Sequence, residues 1–115
     1  MPLDEGSLTG TLTLDSRWPG GDWRNTYFHP ANLRVAVARV EALQSLVPAG
    51  ETVAQLALRF FHSNLDVATV TSGTRTPEHL AANLAAAAAG PLPADLLAAG
   101  GAHRWDRPQS HASQS

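Results

Sequence analysis

The sequence predicts an α/β fold that is incomplete. Three observations predict it: helical periodicity over residues 31–47 and again over 52–62, a β-branched run at 67–71, and a capped helix start at Thr76. Two helices crossing into a buried strand is the order of a layered α/β sheet, yet one strand cannot form a sheet by itself. At 115 residues the chain is long enough for one small domain and too short for two. It therefore reads as one part of a larger domain.

Residues 1–30 show little helical periodicity and hold Gly6, Gly10, Pro19, Gly20, Gly21 and Pro30. That composition predicts a long loop with a short extended piece at 8–14. The cluster Asp22-Trp23-Arg24-Asn25-Thr26-Tyr27-Phe28 needs a surface to pack on, so the loop is expected to be ordered. Asp22, Arg24 and Tyr27 are expected to anchor it through a polar network.

A helix is predicted over 31–47, with Leu33, Val37, Val40, Gln44 and Val47 on one stripe and Ala36 and Leu43 beside it. Pro30 suits its first turn, and Pro48-Ala49-Gly50 stops it. The next helix opens on Thr52-x-x-Gln55, the spacing of a capping box. Val53, Leu56, Ala57, Phe60 and Phe61 then form a core-facing stripe, ended by His62-Ser63-Asn64. Val67-Ala68-Thr69-Val70-Thr71 is read as a buried strand, and Ser72-Gly73-Thr74-Arg75 as a turn. Thr76-Pro77-Glu78 supplies a cap, a first-turn proline and an acid for a third helix, which Gly90-Pro91 ends. A short helix is expected over 93–99, followed by a loop and a disordered tail at 108–115.

Composition excludes several functions. Net charge is −2, which leaves no electrostatic footprint for nucleic acid. No apolar run reaches the ~18 residues of a membrane span. Met1-Pro2-Leu3-Asp4-Glu5 lacks the pattern of a secretory signal, so a cytoplasmic location is expected. There is no cysteine, hence no disulfide and no thiolate metal site. All eight basic residues are arginine, so chemistry that needs a lysine cannot run from this chain alone. His29, His62, His79, His103 and His111 show no metal-ligand spacing. Ser7, Ser63 and Ser72 lack the G-x-S-x-G setting of a hydrolase nucleophile.

The best candidate site is the strand-turn-helix at 67–83. A helix N-terminus offers free N–H groups and a positive dipole end to an anion. Gly73 permits close backbone approach, Thr74 adds a hydroxyl, and Arg75 could grip a phosphate with two parallel hydrogen bonds. The alternative is a well-capped helix with an exposed arginine beside it. Pro2-Leu3-Asp4-Glu5-Gly6-Ser7-Leu8-Thr9-Gly10 is a second, weaker candidate, because Asp4 and Glu5 would repel an anion and an ordinary turn explains the glycines.

Five segments, in order, resemble the C-terminal third of the aldo-keto reductases. Pro2-Leu3-x-x-Gly6-x-Leu8-Thr9-Gly10 is similar to the stretch after the seventh barrel strand of bacterial members. Asp22-Trp23-Arg24 with Tyr27-Phe28 resembles the next loop, and Ala54-Gln55-Leu56-Ala57-Leu58-Arg59-Phe60 the helix after it. Residues 67–83 resemble the eighth strand and cofactor turn, V-x-x-I-P-G-x-R-x-P-E-x-x-x-E-N, and His103-Arg104-Trp105-Asp106 the closing segment.

The resemblance implies the C-terminal portion of a (β/α)8 TIM barrel, from the end of strand seven through helix eight, as a partial domain over 1–107. It implies an NADP(H) site: Leu3, Glu5 and Gly6 along the pyrophosphate and ribose, and Gly73, Thr74 and Arg75 around the 2′-phosphate. His79 stands where the family has Arg or Gln, and Asn83 where it has the adenine-contacting Asn. Thr71-Ser72 depart from Ile-Pro, and Ala82 from Glu. The family's catalytic Asp, Tyr, Lys and His lie on early strands absent here, so no catalytic or metal-binding residue is assigned. The implied function is that of an aldehyde- or ketone-reducing oxidoreductase fragment, inactive alone. The alternatives are a half-barrel completed by a chain with the missing strands, and a non-enzymatic interaction protein. A half-barrel would expose a strand edge and one apolar face of each helix.

Overall fold

The computed structural model describes residues 3–104, with Asp4 and Glu5 described by their backbone alone. The expectations for Pro2, for Trp105-Asp106, and for a tail at 108–115 lie outside the described residues. Among the described residues the chain runs through a 3₁₀ turn (Asp4–Thr9), α1 (Arg24–Tyr27), α2 (Pro30–Leu43), a second 3₁₀ turn (Gln44–Leu46), α3 (Val53–His62), α4 (Pro77–Ala88) and α5 (Ala94–Gly101). None of these residues forms a strand. No helix among them is long and apolar enough to cross a membrane.

The predicted starts of the helices are those observed, and the caps explain why. Thr52 Oγ1 accepts from the Gln55 N–H at 3.2 Å while Gln55 Oε1 accepts from the Thr52 N–H at 3.0 Å, closing the capping box. Thr76 Oγ1 accepts from the His79 N–H at 3.2 Å, and Pro77 fills the first position of α4. Gly90, with φ +75°, takes the left-handed conformation just past α4, which a side chain would disfavour.

The stripes of α2 and α3 are both buried, and Leu33 and Val37 of α2 cluster with Phe28 of the aromatic loop. Leu33, Val37, Val40 and Leu43 of α2 are buried, and so are Val53, Leu56, Ala57 and Leu58 of α3. Helix α3 packs along α4 and against the first 3₁₀ turn, which also touches α2. The α2 stripe ends earlier than expected, because the chain tightens into 3₁₀ geometry at Gln44–Leu46 and leaves Gln44 exposed.

Two expectations need correction. Phe60 and Phe61 do not face the core: they are 42% and 37% exposed, and Leu58 and Arg59 are buried in their place. Arg59 turns inward because it has a full set of partners. Its Nη1 donates to Glu51 Oε1 at 2.6 Å, its Nε to the Gly90 carbonyl at 3.0 Å and its Nη2 to the Pro91 carbonyl at 3.1 Å. A buried charge so matched satisfies carbonyls that the end of α4 would otherwise leave bare. Next to it, Ser63 Oγ donates to the Arg59 carbonyl at 2.6 Å and accepts from the Leu92 N–H at 2.7 Å.

The second correction concerns 67–71, which is not a strand here. The Val67 N–H donates to the Asn64 carbonyl at 3.0 Å, and the N–H groups of 68–71 donate no hydrogen bond among the described residues. A strand exists only through its neighbours' ladder, and no neighbouring strand lies among the described residues. Similarly, the extended piece expected at 8–14 gives way at its start to the 3₁₀ turn, which the Leu3 carbonyl closes by accepting from the Gly6 and Leu8 N–H groups.

The aromatic loop is ordered, as expected, and includes the short α1. Asp22 takes Arg24 in a two-pronged pair, with Nε donating to Oδ1 at 3.0 Å and Nη2 to Oδ2 at 2.6 Å. The guanidinium lies 5.5 Å from the Trp18 ring, which stacks on buried Phe28 at 5.3 Å. Asn25 adds hydrogen bonds to the Trp18 and Pro19 carbonyls. Tyr27 joins through its ring, edge-on to Phe28 at 4.8 Å, and not through the polar network expected of it.

Candidate functional site

The turn at 72–75 and the start of α4 form the candidate site. Asn83 lies on the second turn of α4, and its amide reaches back to the turn. Nδ2 donates to Ser72 Oγ at 3.1 Å and to the Gly73 carbonyl at 3.4 Å. Gly73 and Asn83, both named from the sequence, are thus in direct contact. Arg75 and Thr74 are exposed, and Arg75 forms no ion pair among the described residues. His79 is exposed on the first turn of α4, where its backbone N–H is held by Thr76.

The helix N-terminus offers less to an anion than the sequence suggested. Pro77 has no N–H, the His79 N–H goes to Thr76 Oγ1, and the Leu80 N–H goes to the Thr76 carbonyl. Among the described residues only the Glu78 N–H of this first turn stays unengaged, and it belongs to an acidic residue. Anion binding here thus depends on the Arg75 guanidinium and the Thr74 hydroxyl more than on the helix end. At Gly73 an added Cβ would meet nothing within 4 Å, and its φ is not left-handed. Neither the chain's own packing nor its backbone conformation requires glycine there.

Leu3 and Gly6 sit apart from this junction in hydrogen-bonding terms. Gly6 turns with φ +100°, its N–H donates to the Leu3 carbonyl at 3.0 Å, and its carbonyl accepts from Thr9 Oγ1 at 2.7 Å. No hydrogen bond joins Leu3 or Gly6 to Gly73, Thr74, Arg75, His79 or Asn83. The Glu5 side chain lies outside the described residues. The 3₁₀ turn that holds Gly6 and the helix α4 both pack against α3.

The one pronounced charge perturbation among the described residues lies elsewhere, in the aromatic loop. Hydrogen bonds from the Arg24 side chain, and then from its backbone, bring the Asp22 carboxyl down to about 2 from its ordinary 3.8. The same pair raises Arg24 above its usual range. This couple fastens the loop and stands outside the candidate site.

Sequence reasoning gave Ser72 a place in the turn and noted its departure from proline, and missed its contact with Asn83. The signal was faint: a hydroxyl and an amide eleven positions apart meet only once the turn and helix are folded. Arg59 gave a clearer sign, a charge set within an apolar stripe, which calls for a buried partner.

Comparison with known proteins gives a single kind of answer. The chain is 34% identical over 87 residues to the NADH-specific methylglyoxal reductase of Escherichia coli (strain K12). The match takes in 74% of this chain and 26% of that protein. The chain therefore spans about a quarter of the length of the relative it matches. No family model matches the chain, and no solved structure does.

Proposed function

We propose that the chain is the C-terminal portion of an aldo-keto reductase of (β/α)8 architecture, holding the adenosine end of NADP(H) at the 72–75 turn and the start of α4. The observation that carries this reading is the Asn83 junction with Ser72 and Gly73, which gathers the turn residues at one end of α4. Similarity to a reductase named for a nicotinamide cofactor supports the same reading. The open space beside Gly73 fits the approach of a ligand, and the free Arg75 guanidinium fits a phosphate.

In this assignment Arg75 and Thr74 hold the 2′-phosphate, His79 and Asn83 flank the base, and Leu3, Glu5 and Gly6 border the pyrophosphate. When bound, the dihydronicotinamide would supply a hydride to an aldehyde or ketone carbon. The chain's own residues position the cofactor. They supply no proton to the carbonyl oxygen, because the acid and its lysine partner belong to a part of the barrel not contained here, and this chain has no lysine. The relative's name specifies NADH, whereas a free arginine at the turn favours the additional phosphate of NADPH.

A chain carrying the missing strands would complete the site. Leu65 is 100% exposed, Leu80 and Leu84 stand on the open face of α4, and the N–H groups of 68–71 lack partners, all of which suit a covering layer.

Titration of the purified chain with NADPH and with NADH, followed by tryptophan fluorescence and thermal melting, tests the proposal. NADPH is expected to raise the melting temperature more than NADH, and Arg75→Ala to remove that preference while leaving the free chain's melt unchanged. Carbonyl reduction by the chain alone is expected to be undetectable. A melt that neither nucleotide moves would overturn the cofactor assignment.

A further inference from the structure

We propose that Ser72 is a positioning residue, a latch that holds the Asn83 amide in the orientation the Gly73 carbonyl selects, with its oxygen edge facing a bound nucleotide. An asparagine amide has two faces of opposite character, a donor NH₂ and an acceptor oxygen, and rotation about its last bond exchanges them. The Gly73 carbonyl can only accept, so the nitrogen must point to the turn, where it lies 3.4 Å away. The Ser72 hydroxyl takes the other proton at 3.1 Å. Both amide protons are then spent on the turn, and Oδ1, which has no partner among the described residues, is left outward as a pure acceptor.

This rests on the nucleotide reading above and adds a selectivity to it. An acceptor in that place favours a purine edge that donates, the exocyclic amine of adenine, over one that presents a carbonyl. Ser72 does not touch the base in this arrangement. Its effect passes through Asn83, and it also ties the 72–75 turn, with Thr74 and Arg75, to the body of α4. A residue without a hydroxyl at 72 leaves only the longer Gly73 contact to hold the amide.

The experiment compares the full chain with Ser72→Ala and Ser72→Thr. In the free protein, the Asn83 side-chain amide resonances are expected to shift and to exchange faster with water in Ser72→Ala, and to return in Ser72→Thr. NADPH affinity is expected to fall about five- to tenfold in Ser72→Ala, the worth of one hydrogen bond. The preference for NADPH over its hypoxanthine analogue should fall with it, and Ser72→Thr should restore both. The melting temperature of the free variants should stay that of the parent chain, which separates positioning from stability.

Amide resonances that Ser72→Ala leaves in place would overturn the latch directly. Resonances that move while affinity and base preference do not would overturn its role in the site and leave the nucleotide reading standing. Absence of NADPH binding by the parent chain would overturn the nucleotide reading and the role of Ser72 with it. The resonance measurement uses no nucleotide, so these failures are distinguishable.

Discussion

Two connections in this chain lead away from the same helix pair and end in opposite conditions. The link from α4 to α5, at 89–93, is clamped: Arg59 takes the carbonyls of Gly90 and Pro91, Ser63 takes the Leu92 N–H, and Leu92 is buried. The link from α3 to α4, at 63–76, is open over most of its length. Among the described residues it carries a fully exposed Leu65, N–H groups at 68–71 without partners, and a tether near its end, from Asn83 to Ser72 and Gly73. The clamped link gets all its partners from α3 and the residues flanking it. The open link has the β-branched composition of a strand, and no strand lies among the described residues to pair with it. Local satisfaction of polar groups separates the two, more than hydrophobicity does.

If that contrast is right, the largest loss should come from Arg59→Leu. It removes three hydrogen bonds and leaves the Glu51 carboxylate half-buried with no partner, since its Oε2 already has none among the described residues. A loss of about 3–5 kcal/mol is expected in urea unfolding, and a loss under ~1 kcal/mol would show the clamp to be dispensable. Ser63→Ala should cost about 1–3 kcal/mol by stranding the buried Leu92 N–H. Equal melts of this variant and the parent would mean that water replaces the hydroxyl.

The open link should be far more tolerant. Leu65→Ser is expected to change stability by less than ~0.5 kcal/mol, because the side chain contributes no burial. A clear destabilisation would mean that Leu65 is covered in solution.

The smallest effect should be confined to the aromatic loop and appear only in acid. Asp22 titrates at about 2 in the folded chain against an ordinary 3.8, so its pair with Arg24 contributes fully above the higher value and is lost as pH falls towards the lower. In the folded chain, Trp18 fluorescence, which senses the guanidinium above the ring, should step near pH 2 and lose the step in Asp22→Asn. A step in both proteins would assign the change to another group.

Much of the helical architecture was legible in the residues. Thr52 with Gln55, and Thr76 with Pro77, announce helix starts by chemistry that acts within four positions, and both caps form as read. Gly90 marks a helix end for an equally local reason. The buried stripes of α2 and of the first half of α3 follow from spacing alone. The reading failed at Phe60 and Phe61, where periodicity continued but the burial was taken by Leu58 and by Arg59 with its distant carbonyls. It failed at 67–71, where β-branched residues state a preference that only a neighbour can fulfil.

The candidate site divides along the same line. Gly73, Thr74 and Arg75 could be named from the turn chemistry of their stretch, and Asn83 from its resemblance to the family's pattern. That the Asn83 amide gives both its protons to the turn, that Thr76 occupies the N–H groups an anion would have used, and that Leu3 and Gly6 close on each other, only the folded chain decided. Caps and turns act over a few residues, so the sequence by itself determines them. Amide orientation, the burial of Arg59 and the lack of a ladder at 67–71 among the described residues depend on groups far along the chain, and only tertiary structure settles those.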